Sequence, residues 1–174
     1  MGTKRVWTRE ELVQLLEELG VELDSRGIRG ELFVVGGAAM SLAFDSRRLT
    51  TDVDAVFEPK TVIADAARVV ASRHPELDDD WVNDAMKGFL PGTDSTQQVI
   101  LDVPGVRVSV PSPEYLLATK IRASRIDRDE DDITFLANMI GLRTSDAVLD
   151  VVDRFYPRAQ LPPKIQFFVQ QLFA

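Results

Sequence analysis

A chain of 174 residues, 45% hydrophobic and 28% charged, is sized for one hydrophobic core and has the composition of an ordinary globular domain. It contains no cysteine and one histidine, His74, which excludes disulfides, a thiolate nucleophile, Cys-ligated zinc and a His-rich metal site. A net charge of −8 opposes diffuse attachment to a phosphate backbone, and no stretch approaches the roughly 20 apolar residues of a membrane span. The basic opening Met1-Gly2-Thr3-Lys4-Arg5 leads into no apolar run of the kind a secretory signal carries. A soluble, cytoplasmic protein with no membrane partner is the expectation, and any chemistry falls to carboxylates, hydroxyls, Lys and Arg. The acidic residues gather at Asp52/Asp54, Asp78-Asp79-Asp80 and Asp129-Glu130-Asp131-Asp132, where bound cations would neutralise part of the charge.

In chain order, Thr8 and Glu11 make a capping box ahead of Leu12, Leu15, Leu16, Leu19 and Leu23, whose spacing predicts a helix over 8–26 with one apolar stripe. Gly27 and Gly30 end it. Residues 31–35 are a short apolar run bounded by glycine, which suits a buried strand closed by Gly36-Gly37. A small-residue helix is expected over 38–44, a second strand over 53–57, and a third helix over 60–72. Around Asp78-Asp79-Asp80 and Trp81-Val82-Asn83-Asp84 the pattern suggests a short helix and a loop, with turn signals at Pro91-Gly92. Residues 98–103 and 106–110 flank Pro104-Gly105 as a hairpin. Ser112-Pro113 is an N-cap followed by proline at the first helical position, opening a helix over 114–125. Helices over 129–140, 145–155 and 163–173 complete the chain. The order implies an α+β fold with an α/β-type core: a small mixed sheet flanked by helices, then a helical C-terminal third. One domain, 1–174, is expected, with a sheet-containing catalytic core at 1–111 and a helical part at 112–174.

The residues that carry chemistry stand at the end of one predicted strand and the start of the next. Asp52 and Asp54 are one residue apart, so strand alternation places both carboxylates on one face while Val53 points to the core. Two carboxylates held together repel unless a cation lies between them. Mg²⁺, or Mn²⁺, suits such a pair, since hard cations take oxygen ligands from one or two carboxylates plus substrate phosphates. Alone, the pair also fits solvated residues at a strand edge. Gly36-Gly37 between a strand and a helix lets backbone N–H groups approach phosphate oxygens, although a tight turn explains a glycine pair equally well. The sequence of strand, Gly-Gly, helix and Asp-x-Asp is more specific than either part.

Val35-Gly36-Gly37 followed by Asp52-Val53-Asp54 resembles the signature of the DNA polymerase β-like nucleotidyltransferase superfamily. Within it, the stretch from Gly36-Gly37-Ala38-Ala39-Met40-Ser41-Leu42 to Arg48-Leu49-Thr50-Thr51-Asp52-Val53-Asp54 is similar to AbiEii-type and MenT-type toxin nucleotidyltransferases and their uncharacterised relatives. A second block supports the likeness: Ser112-Pro113-Glu114-Tyr115-Leu116-Leu117-Ala118-Thr119-Lys120, then Arg125, Arg128-Asp129 and Asp132-Ile133. The resemblance implies a Mg²⁺-dependent transfer of a nucleoside monophosphate from an NTP to an acceptor hydroxyl. In a toxin, the acceptor would be a tRNA 3′ end and the partner a cognate antitoxin. It implies a metal on Asp52 and Asp54, nucleotide contacts at Gly36, Gly37, Arg48, Thr50 and Lys120, and a place for Asp132 near the reacting centre. A third metal carboxylate is either Asp102 or Asp132. Thr50 touches phosphate, is modified, or simply starts a strand. Read without the family, Lys120, Arg122, Arg125 and Arg128 also fit an exposed basic helix face paired with Asp129, Asp131 and Asp132. A small-molecule acceptor, or a non-catalytic partner-binding module of the same fold, are the alternatives. The final helix, with Phe167, Phe168 and Phe173, is either a contact surface or part of its own core.

Overall fold

The computed structural model describes residues 4–123 and 125–174. Met1, Gly2 and Thr3 of the basic opening stretch, and Ser124 within the helix expected over 114–125, lie outside the described residues. The chain divides into two compact units, Met1–Gly88 with Gln97–Val110, and Phe89–Thr96 with Pro111–Ala174. The α+β class expected from the element order is the one found: a small mixed sheet with flanking helices and a helical C-terminal region. Among the described residues no helix is long and apolar enough to cross a membrane.

The first unit begins with helix α1, Arg9–Ser25, started by the capping box that the sequence announces. The Glu11 N–H donates to Thr8 Oγ1, and the Thr8 N–H donates to Glu11 Oε2 at 2.9 Å. Its leucine stripe is buried at Leu12, Leu15, Leu16, Leu19 and Leu23, each such side chain stabilising the fold by about 1.5–3 kcal/mol. Among the described residues five strands follow: β1 Gly30–Val34, β2 Val53–Glu58, β3 Val82–Asn83, β4 Gln98–Val103 and β5 Val106–Val110. Their order across the sheet is β3-β2-β1-β5-β4. The pairs β1/β2 and β4/β5 are antiparallel, whereas β1/β5 and β2/β3 are parallel.

Alternation gives the sheet two faces. Val53, Ala55, Phe57, Leu32, Val34, Val106, Val108 and Val110 form the buried one, where α1 and α3 (Lys60–Ala71) pack. Asp54, Val56, Glu31, Phe33, Arg107 and Ser109 alternate onto the other. Helix α1 comes very close to the β4–β5 turn. A Cβ placed on Gly105, whose φ is +86°, would lie 1.9 Å from the Gly20 carbonyl oxygen, and one on Gly20 would lie 2.9 Å from that of Pro104. Only glycine fits at both positions.

Two expectations change in this unit. No helix forms at Trp81-Val82-Asn83-Asp84; β3 stands there instead, because the Trp81 carbonyl takes the Val53 N–H at 2.6 Å and the Trp81 indole donates to Ala67 O at 2.9 Å. Two residues carry no periodicity, so pairing with β2 decides their conformation. The helix after β1 begins at Gly36 rather than Ala38, as α2, Gly36–Ala39, and continues as a π turn over Met40–Phe44 closed by the Asp45 N–H on Met40 O at 2.7 Å.

The second unit holds α4 Pro113–Arg122, α5 Ile126–Met139, α6 Ser145–Asp153 and α7 Pro163–Leu172. Helix α4 stops three residues short of the expected Arg125, and α5 starts earlier than the expected Asp129. Phe89–Thr96 belongs to this unit because three groups fasten it. The Tyr156 hydroxyl donates to Phe89 O, the Tyr115 hydroxyl to Gly92 O at 2.8 Å, and Asp94 Oδ2 accepts the Ser112 N–H at 2.6 Å. Burial, with a further contribution from Asp94, pushes the Tyr115 phenol up to about 12. The α7 aromatics divide: Phe168 is buried and Phe167 is exposed.

Candidate functional site

Within the first unit, the end of β1 and the start of β2 lie side by side, joined by the Val35 N–H donating to Asp54 O at 2.8 Å. Asp52 immediately precedes β2 and Asp54 lies within it, both half-buried, with fully buried Val53 between them. Gly36, at φ +63°, turns the chain against Asp54, so that a Cβ there would lie 3.3 Å from Asp54 Oδ2. The adjoining Gly37 faces Thr50 in the same way, with 3.1 Å between a would-be Cβ and Thr50 Oγ1. The Thr50 hydroxyl donates to Asp52 O at 3.1 Å, and Thr51 Oγ1 lies 3.5 Å from Asp52 Oδ1. Gly36, Gly37, Thr50, Asp52 and Asp54 therefore form one constellation. The first N–H groups of a helix lack intrahelical acceptors and carry its positive dipole end. Gly36 and Gly37 supply two of them.

Arg48 lies on the loop before Thr50 and folds back, its Nη1 donating to Leu49 O at 2.9 Å. Its neighbour Arg47 projects into solvent, 86% exposed at the side chain. Asp102 does not join the constellation. It pairs with Arg29 and lies 4.0 Å from Arg107, in the row that runs from Arg107 through Glu31 to Glu58. That row crosses β2 at the opposite end from Asp54, and β4 is three strands from β2, about 14 Å at normal strand spacing. Strand order separates the two, and strand order is not visible in residue spacing.

Asn83 is a residue that sequence reasoning missed. It is the register partner of Asp54 on β3, so the two share a face, and its Oδ1 accepts the Ala85 N–H at 3.1 Å. A two-residue strand carries no sequence signal that would have found it. Nearby, the Lys60 ammonium, 2.5 Å from Asp84 Oδ2, holds the Asp84 carboxyl below its ordinary value.

In the second unit, Lys120 and Asp132 meet directly. The Lys120 ammonium lies 2.8 Å from Asp132 Oδ2 and 3.5 Å from Asp129 Oδ1, with Lys120 and Asp132 both buried. The basic stretch is thereby divided: Lys120 turns inward, while Arg125 and Arg128 are exposed.

Two carboxylates one residue apart offer hard oxygens, and the space beside Asp54 Oδ2 is one a Cβ on Gly36 would enter. These residues would suit a magnesium or manganese ion whose remaining ligands came from substrate and water. Among the described residues no group of three or more acidic or histidine side chains is placed to hold a metal, so this fit rests on the aspartate pair.

A mixed sheet whose first strand runs into Gly-Gly beside the Asp-x-Asp at the second is the arrangement that the resemblance to nucleotidyltransferases implies. The chain belongs to the family described as nucleotidyltransferase of unknown function (DUF6036), whose model matches residues 10–156. No curated protein and no solved structure matches the chain.

Proposed function

We propose that this chain transfers a nucleoside monophosphate from an NTP to an acceptor hydroxyl, at the constellation of Gly36, Gly37, Thr50, Asp52 and Asp54. The observation that carries the reading is the approach of Gly36 to Asp54 Oδ2, 3.3 Å from a would-be Cβ. It brings the start of the helix up against one carboxylate of the Asp-x-Asp pair, which supports the reading. In the transfer, the acceptor oxygen bonds to the α-phosphorus, the bond from that phosphorus to the bridging oxygen breaks, and pyrophosphate leaves with the electron pair. Catalysis of this kind is mostly positioning and charge stabilisation.

Asp52 and Asp54 would hold Mg²⁺ or Mn²⁺, which supplies charge neutralisation on the phosphates and makes the acceptor hydroxyl easier to deprotonate. Gly36 and Gly37 present backbone N–H donors to phosphate oxygens. Thr50, whose proton is directed to Asp52 O, positions the aspartate loop. Arg48 adds positive charge beside the triphosphate. For Lys120 and Asp132 the resemblance supplies the roles, phosphate neutralisation and acceptance of the acceptor proton. Because they are one ion pair, substituting either is expected to disturb both.

The acceptor we favour is the 3′ hydroxyl of a tRNA, with the protein acting as a toxin restrained by an antitoxin in the cytoplasm. Exposed Arg47, Arg125 and Arg128 are the local cations such an acceptor requires in a chain of net charge −8. Incubation with each labelled NTP, Mg²⁺ and total tRNA is expected to give labelled RNA. Asp52→Ala and Asp54→Ala are expected to lower transfer by about 10²–10³-fold or more. Undiminished transfer in either variant overturns the site assignment. Indifference of the protein to tRNA in salt-dependent co-sedimentation would move the acceptor to a small molecule.

A further inference from the structure

The segment ahead of α1, residues 4–7, has no part in the reading above, yet it is fastened to the strand start that bears the aspartates. Trp7 is buried, 6% exposed, and makes an isolated antiparallel bridge with Thr50. The Trp7 N–H donates to Thr50 O at 2.7 Å, and the Thr50 N–H donates to Trp7 O at 3.3 Å. Thr50 in turn holds the Asp52 carbonyl through its hydroxyl and stands against Gly37. Arg5 lies over the Trp7 ring, 4.5 Å from its centroid, within cation–π range, and pairs with Glu11 and Glu76. Lys4 is 2.7 Å from Asp78 Oδ2. Its pKa is raised above its ordinary value chiefly by the hydrogen bond it donates to that side chain, with Asp52 among the further charges that contribute. One face of this segment thus grips the loop leading to β3, and the other grips the loop leading to β2.

We propose that Trp7 is a positioning residue for the metal site: its backbone bridge to Thr50 and its buried ring hold Asp52 where it shares a cation with Asp54. The inference rests on the metal reading of that pair. Through β3, the strand start at Val53 is fixed by Trp81. Asp52 precedes that strand and is tied by Thr50 and Thr51. Removing the Trp7 ring loosens Thr50, and with it the Asp52 carboxylate, without deleting any ligand. Groups that support metal ligands from outside the coordination sphere change metal affinity by about 10–100-fold when lost.

The test is Mn²⁺ binding by the full-length protein, read by electron paramagnetic resonance, with hydrogen exchange of the Trp7 and Thr50 amides measured in parallel. Trp7→Ala is expected to weaken Mn²⁺ binding by about tenfold and to release both amides, while circular dichroism stays that of the native fold. Trp7→Phe, which keeps the bridge and a buried ring, is expected to restore both. Arg5→Ala leaves the core untouched and serves where Trp7→Ala fails to fold; it is expected to weaken Mn²⁺ binding by roughly two- to threefold and to speed exchange at Thr50. Wild-type affinity in folded Trp7→Ala overturns the inference, as does wild-type affinity in Arg5→Ala when Trp7→Ala is unfolded. Asp52→Ala separates the two ideas. If it binds Mn²⁺ as well as wild type, the metal reading falls and the inference with it; if it loses Mn²⁺ while Trp7→Ala does not, only the inference falls.

Discussion

Two pairs of close-approach glycines sit in the same unit and do different work. At Gly20 and Gly105 the space a side chain would need is filled by backbone: the Gly20 carbonyl oxygen on one side and the Pro104 carbonyl oxygen on the other. At Gly36 and Gly37 the neighbours are side-chain oxygens, Asp54 Oδ2 and Thr50 Oγ1. Backbone cannot retreat without moving α1 or the β4–β5 hairpin, whereas a carboxylate or a hydroxyl can turn about its own bonds. The first pair is therefore a packing device whose loss is felt by the fold. On the proposed function the second is a site device, whose loss would be felt by whatever the oxygens bind.

The most severe test of this contrast is Gly105→Ala. The residue is at φ +86°, where an L side chain costs about 1–2 kcal/mol, and its Cβ would overlap the Gly20 backbone, adding about 1–3 kcal/mol of overpacking. A loss of about 2–5 kcal/mol follows, read as a fall in Tm of roughly 10 °C by circular dichroism. A Gly105→Ala protein that melts like wild type would show that α1 and the hairpin are not in fixed contact.

A second test carries the contrast to carboxylates. Asp94 is buried, and it accepts from the Ser112 N–H at 2.6 Å, the Thr96 N–H at 3.0 Å and the Thr96 hydroxyl at 2.9 Å. Burial alone would raise its carboxyl, but these donors together outweigh burial and leave it below its ordinary value. A carboxyl lowered by folding stabilises the native state at every pH above its unfolded value, about 3.9, and this stabilisation drains away as pH falls through the lower, folded value. Asp94→Ala is expected to cost about 2–3 kcal/mol at pH 7 and to flatten the acid limb of the stability curve below about pH 4. An acid limb unchanged in Asp94→Ala would show that the hydrogen bonds to its carboxylate do not help hold the fold.

The same distinction explains what was legible in the residues. Gly27, Pro59, Pro104-Gly105 and Ser112-Pro113 are local stops and starts, so α1, β1, β2, α3, β4 and β5 fall within a residue or two of their expected bounds. The Gly-Gly and Asp-x-Asp segments were readable for the same reason: each places its own residues. What was not readable depends on partners distant in sequence. Val82 and Asn83 become a strand only because Val53 and Asp54 lie beside them. Asp102 reads as a possible ligand until strand order carries it to the far edge. The alternative reading pairs a basic face at Lys120 with Asp129 and Asp132; what the residues do not show is that Lys120 turns inward and is buried with Asp132 once α4 and α5 pair. Phe89–Thr96 reads as a loop of the sheet region until Tyr115 and Tyr156 claim its carbonyls.

A milder effect on stability than at Gly105, and the sharpest on the comparison, is expected from Gly36→Ala. Its φ of +63° costs an alanine about 1–2 kcal/mol, less than at Gly105 because no backbone atom has to move. The new methyl, 3.3 Å from Asp54 Oδ2, is relieved by a few tenths of an ångström of carboxylate displacement. That small displacement falls on a group proposed to hold a cation, where about 1.4 kcal/mol of lost transition-state stabilisation is a factor of ten in rate. Nucleotidyl transfer is therefore expected to fall by about tenfold or more, with the loss showing partly as a raised Mg²⁺ requirement. Gly37→Ala presses instead on the Thr50 hydroxyl and carries no positive φ, so it should lose less of both stability and transfer. If Gly36→Ala loses stability as heavily as Gly105→Ala yet keeps full transfer, the glycine at the end of β1 is a packing device after all. The 3.3 Å approach to Asp54 would then carry no chemistry.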